Sequence, residues 1–467
     1  MTERAPTVED TVARIAAGER ASDLAAAHLA ALERVGAELN AVARLAPEAA
    51  MAQAAALDAR PAAARGALAG APLAHKDLYA REGWGLEAGL AILEGHVADR
   101  TSHPIARLDA ADALDLGRLN TVEAAFGAEG LNAHTGPVRN PWNPAHVTGG
   151  SSSGSAAAVA AGAVPAALGS DTGGSIRLPA AACGLIGLKP TAGLVGRAGV
   201  FALSGSLDTV GPLTRTARDA ALLMNALAGH DPGDPQSVAR PAVDHLDGIE
   251  DGVKDLRIGV PRRYFFDPVA PAVADRLEAA LAVFEGEGAR LVPVDVPEIE
   301  TANRLAMLII AVEAAAQHAR WLATRAAEYG PVTRRRLAPG LFQDAGAYLR
   351  ALGQRARLAR AALEGPFAEA DMLFAPTWTT EIPTIAETER AVAEGGKAAE
   401  DIGHCSRPVN LLGFPAIVAP CGLTRNGLPA AFQLIGRPFA EPTLLRAARG
   451  FERSFAFAES ARPAVRV

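Results

Sequence analysis

From Gly149 to Pro190 the chain reads GGSSSGSAAAVAAGAVPAALGSDTGGSIRLPAAACGLIGLKP, two glycine- and serine-rich loops around an alanine-rich segment. Glycine loses more backbone entropy on folding than any other residue. Such a cluster therefore marks backbone held in unusual dihedrals or brought close to a ligand. Successive N–H groups in turns of this kind converge on one point and can hold an oxyanion. The alanine run reads as a close-packed helix. Together these features predict a serine-nucleophile site built on two loops.

Composition sets the frame around that site. A chain of 467 residues, 49% hydrophobic and 21% charged, can bury a large globular core. Aromatics are only 5%, so close backbone approach is expected to replace large side chains in packing. The formal charge of −7 gives no sign of a phosphate-binding surface, and nucleic acid is not an expected partner. Cys183, Cys405 and Cys421 form an odd set without a CxxC pair, as buried thiols of a reduced compartment would. The N-terminal MTERAPTVED has acids where a secretory signal needs an apolar core. No apolar run reaches the roughly 20 residues that span a bilayer. A soluble cytoplasmic protein without membrane contact is expected.

Along the chain, residues 7–60 read as helices, with Leu24, His28, Ala31, Leu32 and Val35 on one face and Ser22–Asp23 as a cap. Helix and strand signals then alternate. Thr216–Leu227, Pro271–Glu285 and Glu441–Phe451 are helical; Leu256–Val260, Leu291–Val296, Met372–Ala375, Ala416–Ala419 and Ala431–Ile435 are strand-like. This alternation predicts an α/β fold, a mixed central sheet with helices on both faces. We expect a helical segment over 1–60 and one α/β/α unit over 61–467, with a variable pocket region about 221–370. Gly229–Asp251 reads as a surface loop. Glu300–Glu364 reads as charged helix in which Arg334, Arg335 and Arg336 form a solvated face, or else a lip of the substrate entrance.

Asp171-Thr-Gly-Gly-Ser175 can turn several N–H groups toward a carbonyl oxygen, each worth about 3–4 kcal/mol as charge develops. The same residues also suit a plain turn between strand and helix. A serine needs a base. Among the histidines no triad setting is recognisable, and Lys76 is the other candidate. It follows the apolar run Ala71–Ala74, so burial at a strand end would lower its pKa toward a useful value; a surface Lys-Asp pair is the plainer reading. A hydroxyl from 149–155 can bridge base and nucleophile, because it both donates and accepts. Gly150–Gly154 also matches G-x-S-x-G, but the prolines and asparagines before it make a poor central strand for a nucleophile elbow.

These residues resemble the amidase signature family. The family pattern runs nearly unbroken from Gly149 to Thr191, and its lysine motif appears as Gly70-Ala-Pro-Leu-Ala-His-Lys76-Asp77. Looser matches follow at Ser206–Arg215, Pro408–Pro415 and Leu434–Pro438. The resemblance implies Ser175 as nucleophile, Ser151 as bridging serine on a cis peptide bond, and Lys76 as general base. It implies an oxyanion hole from the N–H groups of Thr172, Gly173, Gly174 and Ser175, with Ser152, Asp171 and Arg177 in support. The chain departs from the pattern at Ser153, where glycine is commoner, and at His75, where an apolar residue is commoner; His75 is expected to face solvent. The implied activity is hydrolysis of carboxylic amides, with carbamates and esters open to the same acyl chemistry. No metal or organic cofactor is expected. A small-molecule substrate is the expected partner, and the oligomeric state is left open. The alternative is the amidase component of a tRNA-dependent amidotransferase. Substrate preference is expected to depend on 221–370 and Thr379–Pro383.

Overall fold

The computed structural model describes residues 5–394, 402–457 and 461–467. The first four residues of the acidic N-terminal stretch lie outside the described residues. A small sheet is built from β1 (Val42–Leu45), β2 (Pro72–Lys76) and β3 (Leu114–Leu119) in the order β1-β3-β2. β1 runs antiparallel and β2 parallel to β3. Next come a two-stranded ribbon, β4 (Arg139–Asn140) and β5 (Asn143–Val147), then β6 (Ala166–Asp171), β7 (Ile186–Lys189) and β8 (Thr209–Thr214). The remaining strands are β9 (Arg257–Val260), β10 (Arg290–Pro293), β11 (Met372–Pro376), β12 (Ala416–Leu423) and β13 (Pro429–Gly436). Eight of these form one mixed sheet, ordered β10-β9-β11-β13-β12-β7-β8-β6. The α/β class with a mixed sheet between helices is as expected.

Strand alternation divides the core into two faces. Phe432 and Leu434 of β13 and Ile417 and Ala419 of β12 join one core; Val418, between the latter two, and Ala431, just before Phe432, join the other. The first face packs under the helices Ala217–Leu227, Pro271–Gly286 and Glu441–Phe455, and holds Phe284, Phe374, Phe432 and Phe451 in mutual ring contact. The second is largely alanine and carries the helices Ser153–Ala160 and Arg177–Ala182. The expected close packing on alanine is densest on the face that holds the serine loops, though the other core also buries alanines. Gly154 shows how close: a Cβ there would lie 2.3 Å from the Ala41 carbonyl oxygen.

Residues 7–60 are not wholly helical, because β1 lies between helices Ala21–Leu39 and Pro47–Asp58 and adds an edge strand beside β3. The cap of the Ala21–Leu39 helix also differs from expectation. The Asp58 carboxylate accepts the N–H groups of Ala21 at 2.7 Å and Ser22 at 3.2 Å, so a distant carboxylate replaces the local Ser22–Asp23 cap. Residues 229–251 form the expected loop, and Ile299–Arg325, Pro331–Leu337 and Ala345–Glu364 the expected helical stretch. Among the described residues, no helix is long and apolar enough to cross a membrane.

Candidate active site

Lys76 ends β2, a strand in which every residue is buried. Its Nζ donates to Ser151 Oγ at 2.7 Å and to Ser170 Oγ at 2.9 Å. Burial pulls its pKa down to about 7 against the pull of Asp208 and Asp171, so the uncharged amine is well populated near neutrality. His75, expected in solvent, is only 1% exposed. The cause is the open edge of β6, whose polar groups need partners. The Leu168 N–H donates to His75 Nδ1 at 3.3 Å, Tyr79 donates to the Gly169 carbonyl at 2.6 Å, and Ser155 to the Leu168 carbonyl at 3.0 Å. Burial lowers the His75 pKa to about 3, which keeps the ring neutral and Nδ1 an acceptor.

Ser151 is fully buried and follows a cis Gly150–Ser151 peptide bond. Its carbonyl accepts from Thr121 Oγ1 at 2.9 Å and the Val122 N–H at 3.2 Å. Ser152 precedes the Ser153–Ala160 helix without a side-chain cap and instead ties the two loops together: its N–H donates to the Ser175 carbonyl at 3.3 Å and its Oγ to the Ser170 carbonyl at 3.4 Å. Ser153 starts the helix, and its hydroxyl reaches only the Ser151 carbonyl, at 3.5 Å.

The second loop turns around Asp171. Arg177 grips this carboxylate with Nε at 3.0 Å and Nη2 at 3.1 Å, and Asn410 Nδ2 adds a bond at 2.9 Å. Burial alone would raise the Asp171 pKa, but the Arg177 guanidinium and these hydrogen bonds, with Lys189 nearby, hold it well below the usual carboxylate range. Asp171 also accepts the Gly174 N–H at 2.8 Å. That donor, expected in the oxyanion hole, is thus committed to the loop itself; Gly174 takes φ +127°, which suits only glycine. Among the described residues, the N–H groups of Thr172, Gly173 and Ser175 have no acceptor. Thr172 Oγ1 donates to Asp208 Oδ1 at 2.5 Å. No hydrogen bond joins Ser151 Oγ to Ser175 Oγ among the described residues.

Thr172, Gly173 and Ser175 open on a cavity of about 470 Å³. Its walls are mainly apolar, from Phe126, Leu178, Leu203, Met307, Ile310 and Val392. The 221–370 region contributes as expected, whereas Thr379–Pro383 does not line it. Arg335 and Arg336 do line it, while Arg334 and Arg335 are exposed, so the run is a solvated face that also borders the cavity. Arg336 is held by Glu129 at 2.6 Å, and it also donates to the Phe126 carbonyl at 2.9 Å. Two groups escaped sequence reasoning. Ser170 stands one residue before Asp171 and therefore points to the opposite side of β6; alternation along the GSDTGGS stretch was the available signal. Glu129, 1% exposed, had no such signal.

Residues 23–445 match the family described as Amidase. The chain is 40% identical over 472 residues to a glutamyl-tRNA(Gln) amidotransferase subunit from Chloroflexus aurantiacus, covering 96% of each. Two solved structures are similar end to end. One, inhibitor-bound, comes from a vestigial protein complex bearing on the origins of an s-triazine catabolic enzyme (TM-score 0.89, 32% identity, 99% of this chain and 100% of that one). The other is a bacterial aryl acylamidase of the amidase signature enzymes (TM-score 0.85, 27% identity, 98% and 99%). The relative's name carries both a tRNA and a subunit, which overturns the expectation of a small-molecule enzyme without nucleic acid. Net charge sums over the chain and carries no information about assembly.

Proposed function

The chain belongs to the amidase family, as an amidase signature enzyme acting on amide C–N bonds, and we propose that it is the amide-cleaving component of a tRNA-dependent amidotransferase, working through an acyl-enzyme on Ser175. Neutral Lys76 takes the proton of Ser151, and Ser151 takes that of Ser175 as its Oγ attacks the carbonyl. The contact that carries the chemistry is the 2.7 Å bond between the buried amine and Ser151. The Ser151–Ser175 leg closes when the amide is seated; catalytic contacts commonly tighten only then.

The N–H groups of Thr172, Gly173 and Ser175 stabilise the oxyanion, each by about 3–4 kcal/mol. Collapse breaks the C–N bond: Ser151 gives its proton to the departing nitrogen and takes one back from Lys76. Water then attacks the ester, losing a proton to the same relay, and the acid leaves as Ser175 recovers its own. A primary amide yields ammonia, the nitrogen an amidotransferase needs. Asp171, Arg177 and Ser152 hold the two loops in register. Residues 1–60 and 61–467 act as one unit, because β1 braces the sheet that carries Lys76. The place in an amidotransferase is supported by the end-to-end likeness to the Chloroflexus protein.

The test measures ammonia from glutamine, and turnover of an alkyl amide, an anilide, an aryl carbamate and an aryl ester, with wild type and Ser175→Ala. Each is run with and without the partner subunits and glutamyl-tRNA. Expected are loss of every activity in Ser175→Ala and glutamine hydrolysis stimulated by the assembly. Full turnover of an anilide by the isolated chain, with no response to partner proteins or tRNA, contradicts the amidotransferase reading.

A further inference from the structure

Behind the site lies a second cavity, about 210 Å³, bounded by Ser170, Arg197, Val200, Gly205, Asp208 and Asp234. One loop separates it from the substrate pocket: Leu203 faces the pocket, while Phe201, Ala202 and Asp208 face the second cavity. The loop is firmly held. Glu313 accepts from Ser204 Oγ at 2.5 Å and from the Ser206 N–H at 2.9 Å, and Asp208 accepts the N–H groups of Leu203 at 2.9 Å and Ser204 at 3.1 Å. Arg197 pairs with Asp234 at 2.8 Å and donates to the carbonyls of Gly205 at 2.9 Å and Asp208 at 3.0 Å.

Ser170 joins this cavity to Lys76. Its Oγ accepts from Nζ, and its own hydroxyl proton has no protein acceptor among the described residues. The other groups facing the amine are Ser151 Oγ and the carboxylates of Asp171 and Asp208, the first of them already paired with Arg177. When substrate fills the pocket, a protonated Lys76 is cut off from solvent on the Ser175 side. We propose that the second cavity is the proton exit of Lys76, with Ser170 as its relay. The Nζ–H bond breaks as the proton passes to Ser170 Oγ, the earlier hydroxyl proton leaves to a water in the cavity, and the amine is left neutral. This rests on Lys76 being the base.

Lys76, Lys189, Lys254 and Lys397 are the only lysines in the sequence, so the Nζ resonance of Lys76 is assignable in lysine-labelled protein by substitution. The substrate pocket is first plugged by reacting Ser175 with an alkyl fluorophosphonate, and exchange of the Lys76 Nζ protons with water is then measured by NMR. Wild type should exchange at a similar rate plugged or open. In Ser170→Ala, plugged exchange should fall by about tenfold or more, whereas Ser170→Thr, which keeps a hydroxyl, should retain it. Gly205→Phe approaches from the mouth, where a Cβ meets nothing within 4 Å, and should slow plugged exchange without touching Lys76. Unchanged exchange in both Ser170→Ala and Gly205→Phe overturns the proposal, as does loss of exchange in plugged wild type. Turnover surviving in Lys76→Ala would instead remove the base assignment, and that assay is independent of the exchange measurement.

Discussion

Among the described residues two lysines are completely buried, and they sit in contrasting regions. Lys76 ends the edge strand of the small sheet, and Lys189 ends β7 inside the large one. Burial lowers both to about 7. Yet Lys76 donates to two hydroxyls, whereas Lys189 donates to the Pro190 carbonyl at 2.9 Å. A carbonyl only accepts and cannot hand a proton on; a hydroxyl does both. A depressed pKa therefore does not mark a base by itself. The partner's chemistry decides.

The largest effect should separate the two lysines outright. Lys76→Ala is expected to lower kcat/KM by about 10³-fold or more, within reach of what a general base contributes, while Lys189→Met should stay within about threefold. Equal losses in steady-state assays would break the comparison. Next in size is the neighbouring ion pair. Arg177→Met strands the buried Asp171 carboxylate and should cost about 3–5 kcal/mol, read from the denaturant midpoint. Lys76→Met and Lys189→Met remove a costly buried amine and should leave that midpoint unchanged or higher.

A third test uses pH. Both lysines have folded pKa values lowered from 10.5 to about 7, so between these values the unfolded chain binds more protons than the native one. Their contribution makes stability rise with pH from about 7 to about 10.5 and stay level below. Comparing denaturant midpoints across that range, each Lys→Met variant should lose part of the rise. A rise of full size in both would show that neither amine is neutral in the fold. The smallest effect is expected for Ser153→Gly, whose hydroxyl makes one long contact. Activity should remain within about twofold, and stability should fall by about 0.5–1 kcal/mol for glycine in a helix.

Much of this was legible beforehand. The apolar run before Lys76 allowed a buried strand end, but a surface Lys-Asp pair was the plainer reading and is overturned by the burial of both residues; the glycine–serine loops marked where backbone donors converge. What remained hidden depended on distant partners. His75 is buried because β6 has an open edge, and the sequence around His75 carries no trace of that edge. Gly174 looked like one more free donor until Asp171, three residues earlier, claimed its N–H. Arg335 and Arg336 resemble any solvated charge run unless Glu129, over two hundred residues away, is known to receive one of them. Lys189 and Lys76 look alike in sequence, each after a short apolar strand. Only tertiary structure gives one of them hydroxyl partners.

The most direct test is the rate at which Ser175 is modified by an alkyl fluorophosphonate, followed by intact mass from pH ~6 to ~10. An uncharged Lys76 acting through Ser151 requires a rate that climbs through an inflection near 7 and then levels. A rate independent of pH between ~6 and ~9 would mean that the amine at position 76 does not activate the nucleophile.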